Sequence, residues 1–421
     1  MKTLCFLALR SAWNRRSTLA LMCLALTLSC VLLLALAHVR VAARASFTGA
    51  VSGVDLVVGP RENPVSLVLY AIFHLGAARR NIAWESYEDI ARRPEVAWSV
   101  PLSLGDSHRG FPVLGTSADF FVHYRHGDRQ PLRFVQGGNL RELFDAVIGA
   151  EVARALRYRR GERITLRHGD GRLPGLDHAD KPFTVSGILA PTGTPVDRTV
   201  FVSLAAIEAI HLDWQGGRPL PGISIPADQV RKFDLKPKTL TAFLVGLKQR
   251  AAVFRLQREI DAQPGEALSA VPPGVALDEL WQMLGAVDAL LTGISWLTLG
   301  ICLAGAAAVT LAGQNERRRE IAILRAAGAQ RHHIAILLLL ESGMIALLSI
   351  ASAFCIVRLA AFVLHAQATR WGLAFPSLAA AIPAAEWRLM AEMLGAMLCV
   401  TLLPLVRAYR RSLSDGLIPR L

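Results

Sequence analysis

Four stretches of this chain are too apolar and too long for core helices of a water-soluble domain. A helix needs about 20 apolar residues to cross a bilayer. Residues 17–39 contain His38 as their one ionisable group, residues 289–315 carry no charge, and residues 334–357 are interrupted by Glu341 alone. The third span is drawn on to residue 365. The fourth, 387–406, must include Arg388 and Glu392. Both belong near an interface, where long side chains snorkel and Trp387 is at home. The Ala35-Leu36-Ala37 triplet resembles a signal-peptidase site, but the apolar run exceeds the roughly 7–15 residues of a signal core. A lipoprotein anchored at Cys30 is a poorer reading, because the run continues past that residue.

Between the first two spans the pattern changes. Short segments rich in β-branched or aromatic residues, bounded by turn formers, predict strands at 54–58, 163–166, 182–189, 199–202 and 241–245. Helical spacing predicts helices over 140–156, with Asn139 as N-cap, and over 251–262. Asn63-Pro64 and the apolar body to Leu75 predict a further helix too short to span. It is either a buried core helix or an apolar face for lipid or a partner. Leading into the second span, Leu277, Leu280, Leu284, Val287 and Leu291 recur at steps of three and four, with acids between them. That stripe predicts an amphipathic stalk continuous with a membrane helix. It either transmits motion or merely overshoots the bilayer. The expected fold is a membrane protein with four transmembrane α-helices and a large α+β domain, residues 44–276, inserted between helices 1 and 2.

Charge fixes the orientation. The chain of 421 residues has 46 Lys+Arg against 33 Asp+Glu. Residues 44–283 hold 29 basic and 26 acidic residues, so the remaining 17 basic and 7 acidic carry +10 of the net +13. The excess lies beside the apolar runs, which argues against a nucleic-acid surface. Lys2, Arg10, Arg15 and Arg16 precede span one; Arg317, Arg318, Arg319, Arg325 and Arg331 lie between spans two and three; Arg407, Arg410, Arg411 and Arg420 follow span four. An even number of spans puts all three groups on one face, and basic loops stay cytoplasmic. Both termini (1–16 and 407–421) are therefore expected inside. The inserted domain and a short loop, 366–386, are expected outside. The six cysteines avoid the inserted domain and form no disulfide framework or CxxC site.

The inner segment 316–333 reads as a short helix. Ile321 and Leu324 share a stripe with Arg318, Arg325 and the acids Glu316 and Glu320 around it; Arg317, Arg319 and Arg331 belong to the same string, and Gly328 can close the helix. Such a helix can lie along the membrane and offer a mixed face to a cytoplasmic protein. Physics alone favours a plain topology anchor. The string ERRREIAILRAAGAQRHHI, placed between two spans, resembles the cytoplasmic coupling helix of the MacB/FtsX-type ABC transporter permeases. DLVVGPRENPVSLVLYAIFHL and GILAPTGTPVDRTVFVSLAAIEAIH are similar to stretches of that family's periplasmic domain. The second carries Pro191, Gly193, Pro195 and Asp197 in an ordered turn. The resemblance covers nearly the whole chain.

The resemblance implies a machine in which two permeases, copies or paralogues, pair in the bacterial inner membrane. Each would rest its inner helix on a cytoplasmic ABC ATPase. ATP-driven closure would then move the stalks and reshape the periplasmic domains for export, lipoprotein release or a related envelope function. A periplasmic adaptor or lipoprotein is a further implied partner, and membrane lipid surrounds the helices. The implied ATPase contact is Glu316 through Arg331, centred on Ile321, Leu324 and Arg325. No G-x-x-x-x-G-K-[ST] phosphate loop is present, nor any Gly-Lys pair. ATP and magnesium are therefore expected on a separate partner chain, with no cofactor on this one. Catalytic elbows and zinc-protease motifs are absent, so no enzyme chemistry is expected.

The histidine clusters (His123/His126, His168/His178, His332/His333) lack a carboxylate or cysteine at zinc spacing. They read as solvated or interfacial, not as a metal site. Glu341 is an intramembrane acid, about 10 Å along the helix from Ile334. It would bond Thr292, Ser295 or Thr298, or sit at the inner interface. The competing function is a membrane-anchored receptor or scaffold, with a ligand-binding outer domain and no ATP coupling.

Overall fold

The computed structural model describes residues 16–76, 78–169, 177–215, 218–220, 224–326, 329–368 and 384–411. It opens with a 35-residue helix, α1 (Arg16–Ala50). Then follow β1 (Leu56–Pro60), α2 (Pro64–Phe73), α3 (Trp84–Ala91), β2 (Val96–His108), β3 (Phe111–Thr116), α4 (Asp119–His123), β4 (Phe134–Gly137) and β5 (Asp145–Ile148). Next come α5 (Ala150–Leu156), β6 (Arg163–Ile164), β7 (Arg167–His168), β8 (Phe183–Leu189), β9 (Val200–Ser203) and α6 (Leu204–His211). After these lie β10 (Ala242–Leu247), α7 (Val253–Asp261), β11 (Leu268–Val271) and three long helices, α8 (Pro273–Ala326), α9 (Arg331–Ala368) and α10 (Ala384–Arg411). The described residues divide into two units: one lies within 42–284 and includes 366–368, the other lies within 16–41, 285–365 and 384–411.

The first unit is built on one 11-stranded sheet in the order β11-β1-β10-β2-β3-β9-β5-β8-β4, with β7 paired to β2 and β6 to β8. It is mixed: β3–β9 and β5–β8 run parallel, the other pairs antiparallel. Alternate residues of each strand feed opposite faces. Val57, Leu114, Val147, Phe201 and Leu244 enter one core, together with α2. On the other face Leu56, Val58, Phe243 and Val245 pack with Leu256 and Ile260 of α7. Val113, Ala146, Ile148, Val200 and Val202 pack there with Val152 of α5 and Ile210 of α6. Burial on both faces explains why these strands read as continuous apolar runs.

The predicted strands at 54–58, 182–189, 199–202 and 241–245 correspond to β1, β8, β9 and β10. The helix after Asn63 also forms. The Asn63 side chain accepts from the Val65 and Ser66 N–H groups, and Val65, Leu67, Val68 and Tyr70 are buried, so this is the core helix of the two alternatives. The prediction over 140–156 fails. The helix expected over 140–156 is only α5, and its first half is strand β5. The Asp145 carboxylate accepts from the backbone of Arg141 and Glu142, each at 2.9 Å, and bends the chain there. Ala146, Val147 and Ile148, all 0% exposed, then join β8 and β9. At Gly149 a Cβ would collide with the backbone carbonyls of Val196 and Asp197, so glycine marks the change from strand to helix. Helical spacing was present, but sheet pairing outweighs a weak local preference.

In the second unit, Leu26, Cys30, Leu33 and Leu34 of α1 pack with Leu299 and Leu303 of α8. They also meet Ile345, Ile350 and Val357 of α9, and Met393 and Met397 of α10. Among the described residues, three helical segments are long and apolar enough to cross a membrane: Leu19–Ala50, Pro273–Ala308 and Ser342–Leu364. Both α1 and α8 outrun a bilayer. Their 35 and 54 residues correspond to about 50 and 80 Å of helix, against ~30 Å of hydrocarbon. At its far end α8 continues to Ala326, so residues 316–326 form its last turns. The short separate helix expected there is not seen, because every residue from Glu316 to Ala326 suits a helix and nothing breaks the run.

Candidate functional site

The predicted coupling residues fall where α8 ends. Glu316, Arg317, Arg318, Arg319, Glu320, Ile321, Leu324 and Arg325 are helical, and Arg331 starts α9. Their side chains lie outside the described residues, as does Gly328 entirely. Glu341 is on α9, and its side chain is likewise undescribed. The hydroxyls named as its partners bond within their own helix: Thr292, Ser295 and Thr298 donate to the carbonyls of Asp288, Leu291 and Ile294.

In the α+β unit, the outer end of α1 is built into the core. The last carbonyls of a helix need donors from elsewhere. The Tyr124 hydroxyl supplies one to Ala50 at 2.7 Å, and the Gly127 N–H supplies another to Gly49 at 3.0 Å. Ser46 donates to the carbonyl of Gly193, inside the turn singled out from sequence. That turn is held by Asp197, whose carboxylate accepts from the Thr192 and Gly193 N–H groups and the Thr192 hydroxyl. Burial raises the Asp197 pKa against the pull of these hydrogen bonds. The start of α8 is equally rooted: Ala276 and Leu277 are buried in the core that holds α2, with Leu280 and Trp281 packed against it. Phe47 of α1 meets Phe73 at 4.5 Å and the Trp281 edge at 5.7 Å, with Arg44 lying over the same indole.

In the membrane-helix unit, His38 pairs with Glu386 at 2.9 Å, both side chains 4% exposed. Arg40 meets Asp288 and Thr292, each at 2.7 Å. His38 stood out in the sequence as the one ionisable group of its span. Glu386 did not, because it is 348 residues distant and sits at a span's edge.

The reading of His168 and His178 as solvated or interfacial fails for His178, which lies in the interior of the domain. His168 and His178 are brought together with two residues not singled out from sequence, Asp106 of β2 and His211 of α6, and their ligand atoms lie within 4.8 Å of one another. The β2–β7 pairing sets His168 opposite Asp106. His168 Nδ1 stands 3.0 Å from Asp106 Oδ1 and 3.1 Å from His211 Nε2. His178 is fully buried, with Trp214 4.3 Å away, centroid to centroid. Hydrogen bonding to Asp106 raises the His168 pKa. Burial, then the neighbouring His211, push that of His178 down to about 4. Separations of 62 and 43 residues leave no local motif to find.

A mixed α+β domain entered and left by long apolar helices defines an integral membrane protein. The descriptions of two family models name the class further: "MacB-like periplasmic core domain" matches residues 19–263 and "FtsX-like permease C-terminal" matches 292–416. The chain belongs to this family of FtsX-like permeases with a MacB-like periplasmic core, a permease component of ABC transporters. Among solved structures it is similar to the periplasmic region of MacB from Actinobacillus actinomycetemcomitans, at 10% identity and TM-score 0.33, covering 55% of this chain and 94% of that one. It is also similar to the extracellular domain of the noncanonic ABC-type transporter YknZ from Gram-positive bacteria, at 10% identity and TM-score 0.29, covering 52% and 98%. No curated protein matches.

Proposed function

We propose that this chain is a permease subunit that transmits ATP-driven motion of a separate cytoplasmic ABC ATPase to its periplasmic domain. It would sit in the bacterial inner membrane as four spans, with both termini inside. The observation that carries the reading is α8, one helix without a break from Pro273 to Ala326. Ala276 and Leu277 near its start are buried in the core of the domain, and its last turns carry the basic string. A helix resists bending, so displacement at one end is felt at the other, whereas a loop would absorb it. Val287, Leu290 and Leu291 are exposed on the same helix, an apolar face suited to a second permease copy. The work done outside would be export or lipoprotein release, with an adaptor or lipoprotein as further partner.

The test is recruitment. Ile321→Asp and Leu324→Asp each place a charge on the apolar stripe offered to the ATPase. Membrane insertion should be unchanged and co-purification of an ATPase should be lost. Co-purification at the original level would defeat the proposal.

A further inference from the structure

We propose that Asp106, His168, His178 and His211 bind a transition-metal ion of the zinc type, in a site that the coupling scheme neither uses nor requires. The spacing is that of ligands around one ion. Donors at 2.0–2.1 Å from a tetrahedral zinc lie about 3.3–3.4 Å from one another. Three of the pairs are 3.0, 3.1 and 3.7 Å apart, for His168–Asp106, His168–His211 and His211–Asp106. All four ligand atoms fall within 4.8 Å of one another, so no pair that includes His178 needs to close by more than roughly 1.4 Å to reach tetrahedral spacing.

The hydrogen bonding singles out the same centre. His211 Nδ1 lies 2.8 Å from the Ile207 carbonyl. A carbonyl only accepts, so Nδ1 carries a proton, and in the neutral ring Nε2 turns its lone pair toward Asp106 and His168. A backbone carbonyl behind the ligating imidazole is the usual way a metal-binding histidine is oriented. His168 Nδ1 faces that lone pair and the carboxylate at once, so at most one proton serves two acceptors. His178 is 0% exposed, and neither ring nitrogen has a hydrogen-bond partner among the described residues. Buried polar atoms are rarely left unpaired, and an ion is among the standard explanations.

The donor set decides the class. Three imidazoles and one carboxylate suit zinc and its first-row neighbours, not magnesium or calcium, which prefer oxygen. Four protein donors also fill a tetrahedral shell and leave no position for a reacting water, which is the pattern of a structural ion. The ion would join β2, β7 and α6 with the segment that carries His178.

The experiment uses the full-length chain in detergent with any affinity tag removed, stripped by chelator, reloaded with zinc(II) and desalted. Wild type and a His123→Ala control should each retain one zinc per chain. His178→Ala and His211→Ala should each weaken zinc at least about a hundredfold, the upper end of what losing an outer-shell partner costs. Reloading wild type with cobalt(II) should give the intense visible bands of four-coordinate cobalt. The cobalt spectrum also decides the case if either variant fails to fold. Loss of zinc from wild type on desalting, variants that hold zinc as wild type does, or the pale spectrum of six-coordinate cobalt would each overturn the site. ATPase recruitment through Ile321 and Leu324 is independent of all these outcomes.

Discussion

His74 ends α2 in the left-handed region, at φ 54°, with its Nδ1 3.0 Å from the Thr199 hydroxyl. That hydroxyl gives its own proton to the Pro195 carbonyl, so the imidazole must donate through Nδ1. Burial lowers its pKa to about 4. Between that value and the ordinary 6.5 the unfolded chain binds the proton and the folded chain does not. Stability contributed by this residue is complete above about pH 6.5 and is lost as pH falls toward 4, by up to about 3 kcal/mol. His74→Asn tolerates the left-handed backbone and removes the titration. Unfolding midpoints measured from pH 7 to 4 should fall more steeply for wild type than for this variant. Equal slopes would exclude the effect. At this scale the Asn63 cap was readable from sequence because its partners are two and three residues away. The partners of His74, His178 and Glu386 were not, because each is brought up by another element.

Individual helices and strands were legible where a long run or a clear period dominates. The apolar bodies of α1, α8 and α9 follow from hydrophobic length. Their extensions do not: α1 was expected to end near residue 39 and reaches Ala50, because residues beyond the apolar run find partners in Tyr124, Gly127 and Phe73. The contact between α1 and α10 through His38 and Glu386 yields a prediction at this scale. Each single change, His38→Leu or Glu386→Leu, takes the 2.9 Å ion-pair partner from a buried polar side chain and should cost about 3–5 kcal/mol. The double variant should cost clearly less than the sum. A double-mutant cycle on the detergent-solubilised protein measures the coupling, and additive costs would show that the two side chains do not interact.

For the whole molecule, the proposed mechanism depends on α8 staying rigid between its rooted first turn and its basic end. Ala286→Pro removes one backbone hydrogen bond and clashes with the preceding turn, breaking or kinking an interior helix at a cost of about 3 kcal/mol. ATPase recruitment should persist, because residues 316–331 are untouched. The ATP-dependent change in the periplasmic domain, read by distance labels within that domain, should disappear. A full ATP response in this variant would remove the lever from the scheme.

The sequence by itself determined the apolar helices, the strands β1, β8, β9 and β10 and the family, because hydrophobic length, alternation and a contiguous basic string are properties of neighbouring residues. The tertiary structure alone decided that 145–148 is a strand, that His38 meets Glu386, and that three histidines and an aspartate from separate elements converge. Those outcomes depend on which distant segments pair in the sheet and the bundle. No local pattern records that choice, since the stabilising partner and the residue it stabilises are far apart along the chain.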